Sequence, residues 1–407
     1  MDKKKILSTM LAILLIIGNI MMARPAFASG ETTTIISVNK VYQGTVQNGG
    51  EKYYSFTLQN DGLVTLSMLR NSNSSWEVQL TDSNGNQLKD FTTSSGTTAI
   101  GYEERQVGLA KGTYYVRIAD NDNGSANPFN FQVKYTAGTG YEKELNNSVE
   151  TANSIQLNTV YKGAMQDYDD QDFYTFTTQS DGNITLSMKR NTAANWHVTL
   201  YSADGQTYKD FYTTDGNTAK GYEERQIGLP KGTYYVAVEN NDYSVDVNYE
   251  LQVKFTAGTQ FEKEINDSVD QANLISLNKT YQGVLQNDGD NDFFAFSLPS
   301  DGNVTLSMNR NTASSWTMTL YSSSGDEYKS FSTSSGSTAT GVEEKQIGLP
   351  KGKYYVKIEE NYSTTDVAYG FQVKFTPSNY YEKENNDSLD SANAISLNAV
   401  YKGALPR

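Results

Sequence analysis

Three tryptophans, Trp76, Trp196 and Trp316, stand 120 residues apart, and the sequence around each is nearly the same. GYEERQ begins at 101 and again at 221, and returns as GVEEKQ at 341. KGTYYV at 111 and 231 returns as KGKYYV at 351. A chain that repeats itself at such an interval is an array of similar units. A unit this long can enclose its own core, unlike a short solenoid repeat, which must stack on neighbours to bury one. The expected organisation is repeat 1 over 29–139, repeat 2 over 140–259 and repeat 3 over 260–378. Residues 379–407 open a fourth unit that stops after its first strand, either a truncated repeat or a tail that docks elsewhere.

Inside a unit the apolar period is two, the signature of strands. Phe294, Phe296 and Leu298 alternate with polar or small neighbours; Val304, Leu306 and Met308 do so after the turn at 300–303. Trp316, Met318 and Leu320 follow, then a turn at 323–326, the strand from Tyr354 to Ile358, and Phe371, Val373 and Phe375. With Tyr281 to Val284 and a weaker run from Tyr328 to Ser332, a unit has about eight short strands. One helical turn is expected after the linker, at 148–153, with Ser148 as its cap. The fold class is all-β, tandem antiparallel sandwiches of jelly-roll type.

The units are joined by an acidic text. YEKELNNS places Glu142, Glu144, Asn146 and Asn147 ahead of repeat 2, and Asp170 and Asp172 follow one strand later. Repeat 3 has Glu262, Glu264, Asn266, Asp267, Asp290 and Asp292, and YEKENNDS opens the last segment at 381. In extended chain, residues i and i+2 share a side, so each acidic pair presents two carboxylates together. Four carboxylates and two amides brought together repel one another without a cation, and oxygen-only donors suit Ca²⁺, which takes six to eight. A solvated linker and a polar turn fit the same residues. Repeat 1 separates the two readings, because it has no Glu-x-Glu-x-Asn and carries Gly50 and Lys52 where Asp170 and Asp172 would be. Solvated charges have no reason to vanish as a set, whereas two halves of one site do. Calcium is therefore expected in repeats 2 and 3 and not in repeat 1.

These motifs carry a resemblance. The order E-x-E-x-N-[ND]-S, A-N-x-I-x-L-N, x-G and D-x-D-[FY]-[FY]-x-F resembles the bacterial pre-peptidase C-terminal domain, a family that includes the collagen-binding modules of clostridial collagenases. The match covers repeats 2 and 3, weakens in repeat 1 and is partial after 380. The resemblance implies a jelly-roll sandwich whose N-terminal linker folds back and is pinned by Ca²⁺. It implies as ligands Glu142, Glu144, Asn146, Asn147, Asp170 and Asp172, and likewise Glu262, Glu264, Asn266, Asp267, Asp290 and Asp292. Such domains usually trail a secreted protease, and the text here contains no catalytic domain.

The N-terminus reads as an export signal. Lys3, Lys4 and Lys5 precede an apolar run from Ile6 to Met22, and Ala26-Phe27-Ala28 suits cleavage after residue 28. The apolar run is short for a membrane span, and no second one follows. No cysteine is present, so disulfides do not hold this exported chain together. The formal charge is −14; loss of the first 28 residues, which carry +3, leaves −17. That excludes nucleic acid and anionic membrane as partners.

Little in the sequence suits catalysis. His197 is the only histidine, matched by Glu77 and Thr317 in the other repeats, and alternation turns it outward. There is no cysteine nucleophile, no G-x-S-x-G elbow and no phosphate loop. The tryptophans share a face with core residues. The Glu103-Glu104-Arg105 text and its copies suit a charged strand edge that resists aggregation. Tyrosine doublets at 53–54, 114–115, 234–235 and 354–355 turn one ring inward and one outward. Outward rings on one sheet would make a flat binding face; ordinary β-propensity of tyrosine also accounts for them. The resulting expectation is a secreted, non-enzymatic, calcium-binding array that binds an extracellular polymer, matrix protein or cell-wall glycan. The alternative is a spacer or accessory chain of a secreted peptidase.

Overall fold

The structure is a computed structural model that describes residues 32–47, 49–122, 126–216, 219–242, 245–362 and 366–404. The export signal read at 1–28 lies outside the described residues. Among the described residues no helix is long and apolar enough to cross a membrane. The chain divides into two compact units, 1–145 and 146–407. Repeat 1 and the first residues of repeat 2, 140–145, lie in the first; the rest of repeat 2, repeat 3 and the last segment lie in the second.

Repeat 1 carries β1 (Thr34–Ile35), β2 (Val41–Val46), β3 (Glu51–Leu58), β4 (Gly62–Leu69), β5 (Trp76–Thr81), β6 (Gln87–Thr92), β7 (Tyr102–Leu109), β8 (Gly112–Asp120) and β9 (Asn127–Ala137). Repeat 2 carries β10 (Asn153–Ser154), β11 (Val160–Ala164), β12 (Gln171–Thr178), β13 (Gly182–Lys189), β14 (Trp196–Ser202), β15 (Thr207–Tyr212), β16 (Tyr222–Leu229), β17 (Gly232–Asn240) and β18 (Asn248–Ala257). Repeat 3 carries β19 (Asn273–Leu274), β20 (Thr280–Val284), β21 (Asn291–Leu298), β22 (Gly302–Asn309), β23 (Trp316–Ser322), β24 (Glu327–Ser332), β25 (Val342–Leu349), β26 (Gly352–Glu360) and β27 (Ala368–Pro377).

In each repeat these strands form a five-stranded and a four-stranded sheet, ordered β19-β21-β26-β23-β24 and β20-β27-β22-β25 in repeat 3. Repeats 1 and 2 reproduce both orders. All pairings are antiparallel except that of the first, two-residue strand, which runs parallel to the third. This ninth strand escapes the sequence reading because two residues are too few to show a period. The expected helical turn forms as a short 3-10 turn, at Val149–Thr151 and Val269–Gln271.

Alternation places the cores as expected. Trp76, Trp196 and Trp316 are fully buried between the sheets. Each ring meets an aromatic of the four-stranded sheet edge-on: Phe129, Tyr249 and Tyr369 at 5.5, 5.4 and 6.3 Å. Of the tyrosine doublets on the central strand, Tyr114, Tyr234 and Tyr354 are core residues. Their neighbours Tyr115, Tyr235 and Tyr355 therefore lie on the outer face of the five-stranded sheet. There Tyr235 pairs across strands with Tyr201, and Tyr355 with Tyr321.

Repeats 2 and 3 meet through a polar joint. The edge strand β16 gives the Gln226 carbonyl to the Gln286 amide at 3.1 Å. Lys209, whose side chain is 3% exposed, reaches the Asp366 carboxylate at 2.6 Å and donates to the Gln286 carbonyl. Arg225 meets the other Asp366 oxygen at 3.0 Å and lies over the Phe211 ring. The Glu-Glu-Arg text does form a strand edge, as expected, with β7, β16 and β25 each last in their sheet. In repeat 2 that edge is also a joint surface, because Arg225 leaves it to pair with the next repeat.

Candidate metal centre

The linker before repeat 3 is held from both sides. Its backbone lies on repeat 2: the Glu264 N–H donates to the Gly228 carbonyl at 3.0 Å, and Lys263 pairs with Asp181 at 3.1 Å. Its side chains enter repeat 3. The Val284 N–H donates to Glu262 Oε1 at 2.6 Å, and the Tyr369 hydroxyl lies 2.8 Å from Glu262 Oε2. Asn273 fixes the segment between, donating to the Lys263 carbonyl at 3.0 Å.

From the other direction β21 delivers Asp292 on its inward face, beside the core ring of Phe294. Glu262, Glu264 and Asp292 thereby bring one carboxylate oxygen each within 4.8 Å of one another, and all three are buried. Asn266 is buried beside them. One atom of its side-chain amide stands 3.1 Å from Glu264 Oε2 and 2.9 Å from Asp292 Oδ1. With nitrogen there, the amide donates to both carboxylates. With oxygen there, three oxygens face one another, an arrangement that a cation or a carboxyl proton satisfies. Asp290 stands at the rim, accepting from the Gln286 N–H at 2.6 Å, with the Asp267 carboxyl against it. Asp267 itself is exposed, as adjacent residues of an extended chain point to opposite sides.

Burial and crowding push Glu262, Glu264, Asp290 and Asp292 up. Glu262 is raised well above the usual carboxylate range by desolvation and then by Glu264. Glu264 is raised by desolvation and then by Asp292 and Asp290. Asp292 is raised by desolvation and then by Glu262. Asp290, partly open, is raised to about 6, chiefly by desolvation. Four acids that all resist ionisation are a liability for the metal-free fold and an asset for a divalent ion. The fit to Ca²⁺ rests on this donor set, oxygen only and acid-rich, and on Glu264 Oε1, which is buried without a hydrogen-bond partner. Glu262, Glu264, Asn266 and Asp292 are the residues that would hold the ion, with Asp290 and Asp267 at the rim.

The matching residues of repeat 2 are divided between the compact units. Glu142 and Glu144 fall in the first, where the Glu144 N–H donates to the Gly108 carbonyl at 3.1 Å. Asn146, Asn147, Asp170 and Asp172 fall in the second. There Asn146 and Asp172 are fully buried and Asn147 is exposed. Asp170 is raised to about 8 by desolvation and by Asp172. In repeat 1, Lys52 is exposed on β3 and no acid replaces it.

Two kinds of residue escape the sequence reading. Tyr369 donates to the acids of repeat 3, and Tyr249 donates to Asp172 at 2.6 Å. The matching residue in repeat 1, which lacks the acids, is Phe129. That coincidence of a hydroxyl with the acids was a readable signal. The second kind is glycine. A Cβ on Gly228 would stand 2.0 Å from the Glu262 carbonyl oxygen, and one on Gly283 would stand 2.2 Å from Glu262 Oε2. Gly228→Ala must therefore lift the linker backbone. Overpacking of this kind costs about 1–3 kcal/mol, and about 1.4 kcal/mol is tenfold in an opening equilibrium. Trypsin cleavage after Lys263 is expected to quicken about tenfold or more in the variant; an unchanged rate would mean that the linker is not seated on Gly228.

Comparison with known proteins agrees with the motifs. No family model matches the chain. It is similar to collagenase ColA of Clostridium perfringens, 28% identical over 284 residues, covering 65% of this chain and 25% of that protein. Collagenase ColT of Clostridium tetani is 27% identical over 231 residues, covering 54% and 22%. The chain thus spans about a quarter of the length of these relatives. Among solved structures it is similar to the pre-peptidase C-terminal domain of a Bacillus anthracis collagenase, at 20% identity and a TM-score of 0.22, covering 26% of this chain and 96% of that one.

Proposed function

Starting from a chain of repeated β-sandwiches that resembles the pre-peptidase C-terminal domain and has bacterial collagenases as relatives, we propose that this is an exported, non-enzymatic array. Its joints are pinned by calcium, and it binds an extracellular polymer. The observation that carries the binding role is the outer face of the five-stranded sheet. Tyr53 and Tyr115 share it in repeat 1, Phe173, Tyr201 and Tyr235 in repeat 2, and Phe293, Tyr321 and Tyr355 in repeat 3. Rings on the same sheet in every repeat suit a fibrous protein or glycan, which offers the same contact many times. Repeat 2 adds His197, stacked on Tyr212 at 4.3 Å. Tyr355 is 8% exposed, under the Lys353 ammonium. That low exposure favours a second reading, in which the array is a spacer or accessory of a secreted peptidase.

The test is retention of the signal-free chain on insoluble collagen, chitin and peptidoglycan, with calcium and with EDTA. Binding at several repeats raises apparent affinity by about 10²–10⁴ over one. Replacing Tyr201 and Tyr235 with serine is therefore expected to weaken retention about tenfold or more on whichever polymer binds. Full retention by a chain so altered in all repeats removes the aromatic face. No retention on any of the three polymers favours the spacer.

A further inference from the structure

Residues 285–290 join β20 to β21, and this short loop touches the acids on one side and repeat 2 on the other. Toward the acids, the Gln286 N–H donates to Asp290 Oδ2 at 2.6 Å. Toward repeat 2, the Gln286 side-chain amide donates to the Gln226 carbonyl at 3.1 Å, and its backbone carbonyl accepts from the Lys209 ammonium. The adjacent Leu285 carbonyl accepts from the Asp366 N–H at 3.1 Å, which seats Asp366 at a left-handed φ of 67°. From that seat Asp366 gives one oxygen to Lys209 at 2.6 Å and the other to Arg225 at 3.0 Å. Gln286 thus belongs to the acid cluster and to the joint at once.

A glutamine at the margin of a core can be mere filling, and repeat 1 argues against that here. Its residue at this position is Val46, 1% exposed and part of the core, so an apolar side chain fits the place. Gln286 is 3% exposed, and its Oε1 is buried with no hydrogen-bond partner among the described residues. A buried amide with one end unpaired is poorer filling than valine. The position of Asp366 is Ala126 in repeat 1. Repeat 2 has Gln166 and Asp246 at these two places, and the Gln166 N–H donates to Asp170 at 2.5 Å. The glutamine, the loop aspartate and the paired acids are therefore present together in repeats 2 and 3 and missing together from repeat 1. Features that come and go as a set are parts of one device.

We propose that Gln286 couples calcium occupancy to the firmness of the joint between repeats 2 and 3, with the Lys209–Asp366–Arg225 ion pairs as a separate latch. The coupling rests on the calcium reading above; the latch does not. An ion that draws Asp290 toward Glu264 and Asp292 fixes a charged acceptor for the Gln286 N–H, and charge-assisted bonds are the stronger kind. The Gln286 carbonyl and amide are then held in place for Lys209 and Gln226. Without the ion Asp290 is repelled by its neighbours, and the loop is held from the side of repeat 2 alone. The latch persists, because the Lys209 ammonium is buried and little screened. Calcium thus moves the joint between a firm and a looser state and does not release it. A firm joint keeps the aromatic faces of the two repeats at one spacing, which binding a regular polymer at several points requires.

The chain has no cysteine, so Ala193→Cys in repeat 2 and Ala313→Cys in repeat 3, both at exposed loop residues, place two spin labels in the full chain. The fraction of molecules outside the principal label distance is read in calcium and in EDTA. Removing calcium is expected to raise that fraction at least about fivefold. Gln286→Val keeps the backbone N–H for Asp290 and installs the residue that repeat 1 packs. It is expected to retain the calcium stabilisation of the Trp316 core and to lose the calcium response of the joint. Asp366→Ala is expected to raise the fraction in both conditions and to leave the calcium response in place. Because it strands a buried ammonium, the same result is sought with Lys209→Met added to it. A Gln286→Val joint that answers calcium as the natural one does overturns the coupling. So does a natural joint indifferent to calcium while the Trp316 core is still stabilised, and the calcium reading then stands. Failure of both to respond overturns the coupling and the calcium reading together. A joint unchanged by both Asp366 variants overturns the latch.

Discussion

Chelating calcium is expected to loosen repeat 3 and leave repeat 1 as it was. The three tryptophans provide the measurement, one in each core, because 5-fluorotryptophan gives each core its own ¹⁹F signal in the intact chain. An ion that binds only the folded state stabilises it by about 2.7 kcal/mol at a hundred times its dissociation constant. For a unit of this size that is roughly 10 °C in melting temperature. The Trp316 signal should move by that amount between calcium and EDTA. The Trp76 signal should not, because repeat 1 has Lys52 and Phe129 where repeat 3 has Asp292 and Tyr369. Equal shifts in all three signals would defeat the assignment of the acids to an ion.

The second large effect is a reversal of sign. Glu262, Glu264, Asp290 and Asp292 are all raised in the folded, metal-free protein, Asp290 to about 6. A raised carboxyl favours the folded state below its unfolded pKa, near 4, and loses that contribution as pH rises through the folded value. In EDTA the second compact unit should therefore lose stability from about pH 4 upward, by roughly 1.4 kcal/mol per pH unit for each proton the fold retains in excess. In calcium the same acids are held ionised, and stability should instead fall on acidification. Asp292→Asn separates the two states. It removes a buried acid that must either retain its proton at pH 8 or bear an unpaired charge, so in EDTA at pH 8 the variant should be more stable than the natural chain. It also removes a ligand, so calcium should add little. Urea melts at pH 5 and pH 8 suffice, and an Asp292→Asn protein that loses stability in EDTA at pH 8 would contradict the crowded-acid account.

How much of this was legible follows from where each interaction lies along the chain. The repeat, the alternation and the acidic pairs are local patterns, and they place the sheets, the buried tryptophans and the convergence of Glu262, Glu264 and Asp292. Tyr369 was not legible in the same way. It meets Asp292 from the opposite sheet, 77 residues later, and a tyrosine in a strand needs no special reason. Gly228 was missed because its constraint is the backbone of another repeat, and no residue near it in sequence hints at that contact. Asp366 was missed because a loop aspartate reads as a turn residue until Lys209 is placed beside it. The outward half of each tyrosine doublet was anticipated, but not its partner, since Tyr201 and Tyr321 enter that face through strand order.

The linker has a consequence for how such a gene can change length. It rests its backbone on the repeat before it, at Gly228 and Asp181, and gives its carboxylates to the repeat after it, at Val284 and Tyr369. Both halves of the joint recur at a constant offset, with Gly108 and Asp61 one period earlier and Gly348 and Asp301 one period later. Between repeats 2 and 3, which carry both halves, unequal crossing-over that removes or adds one whole period therefore restores an intact joint wherever the breakpoints fall, including inside a strand. Recombination need not find a domain boundary. A crossover that is out of phase by even a few residues separates the glycine from its linker, so lengths between whole periods are the ones that selection would remove.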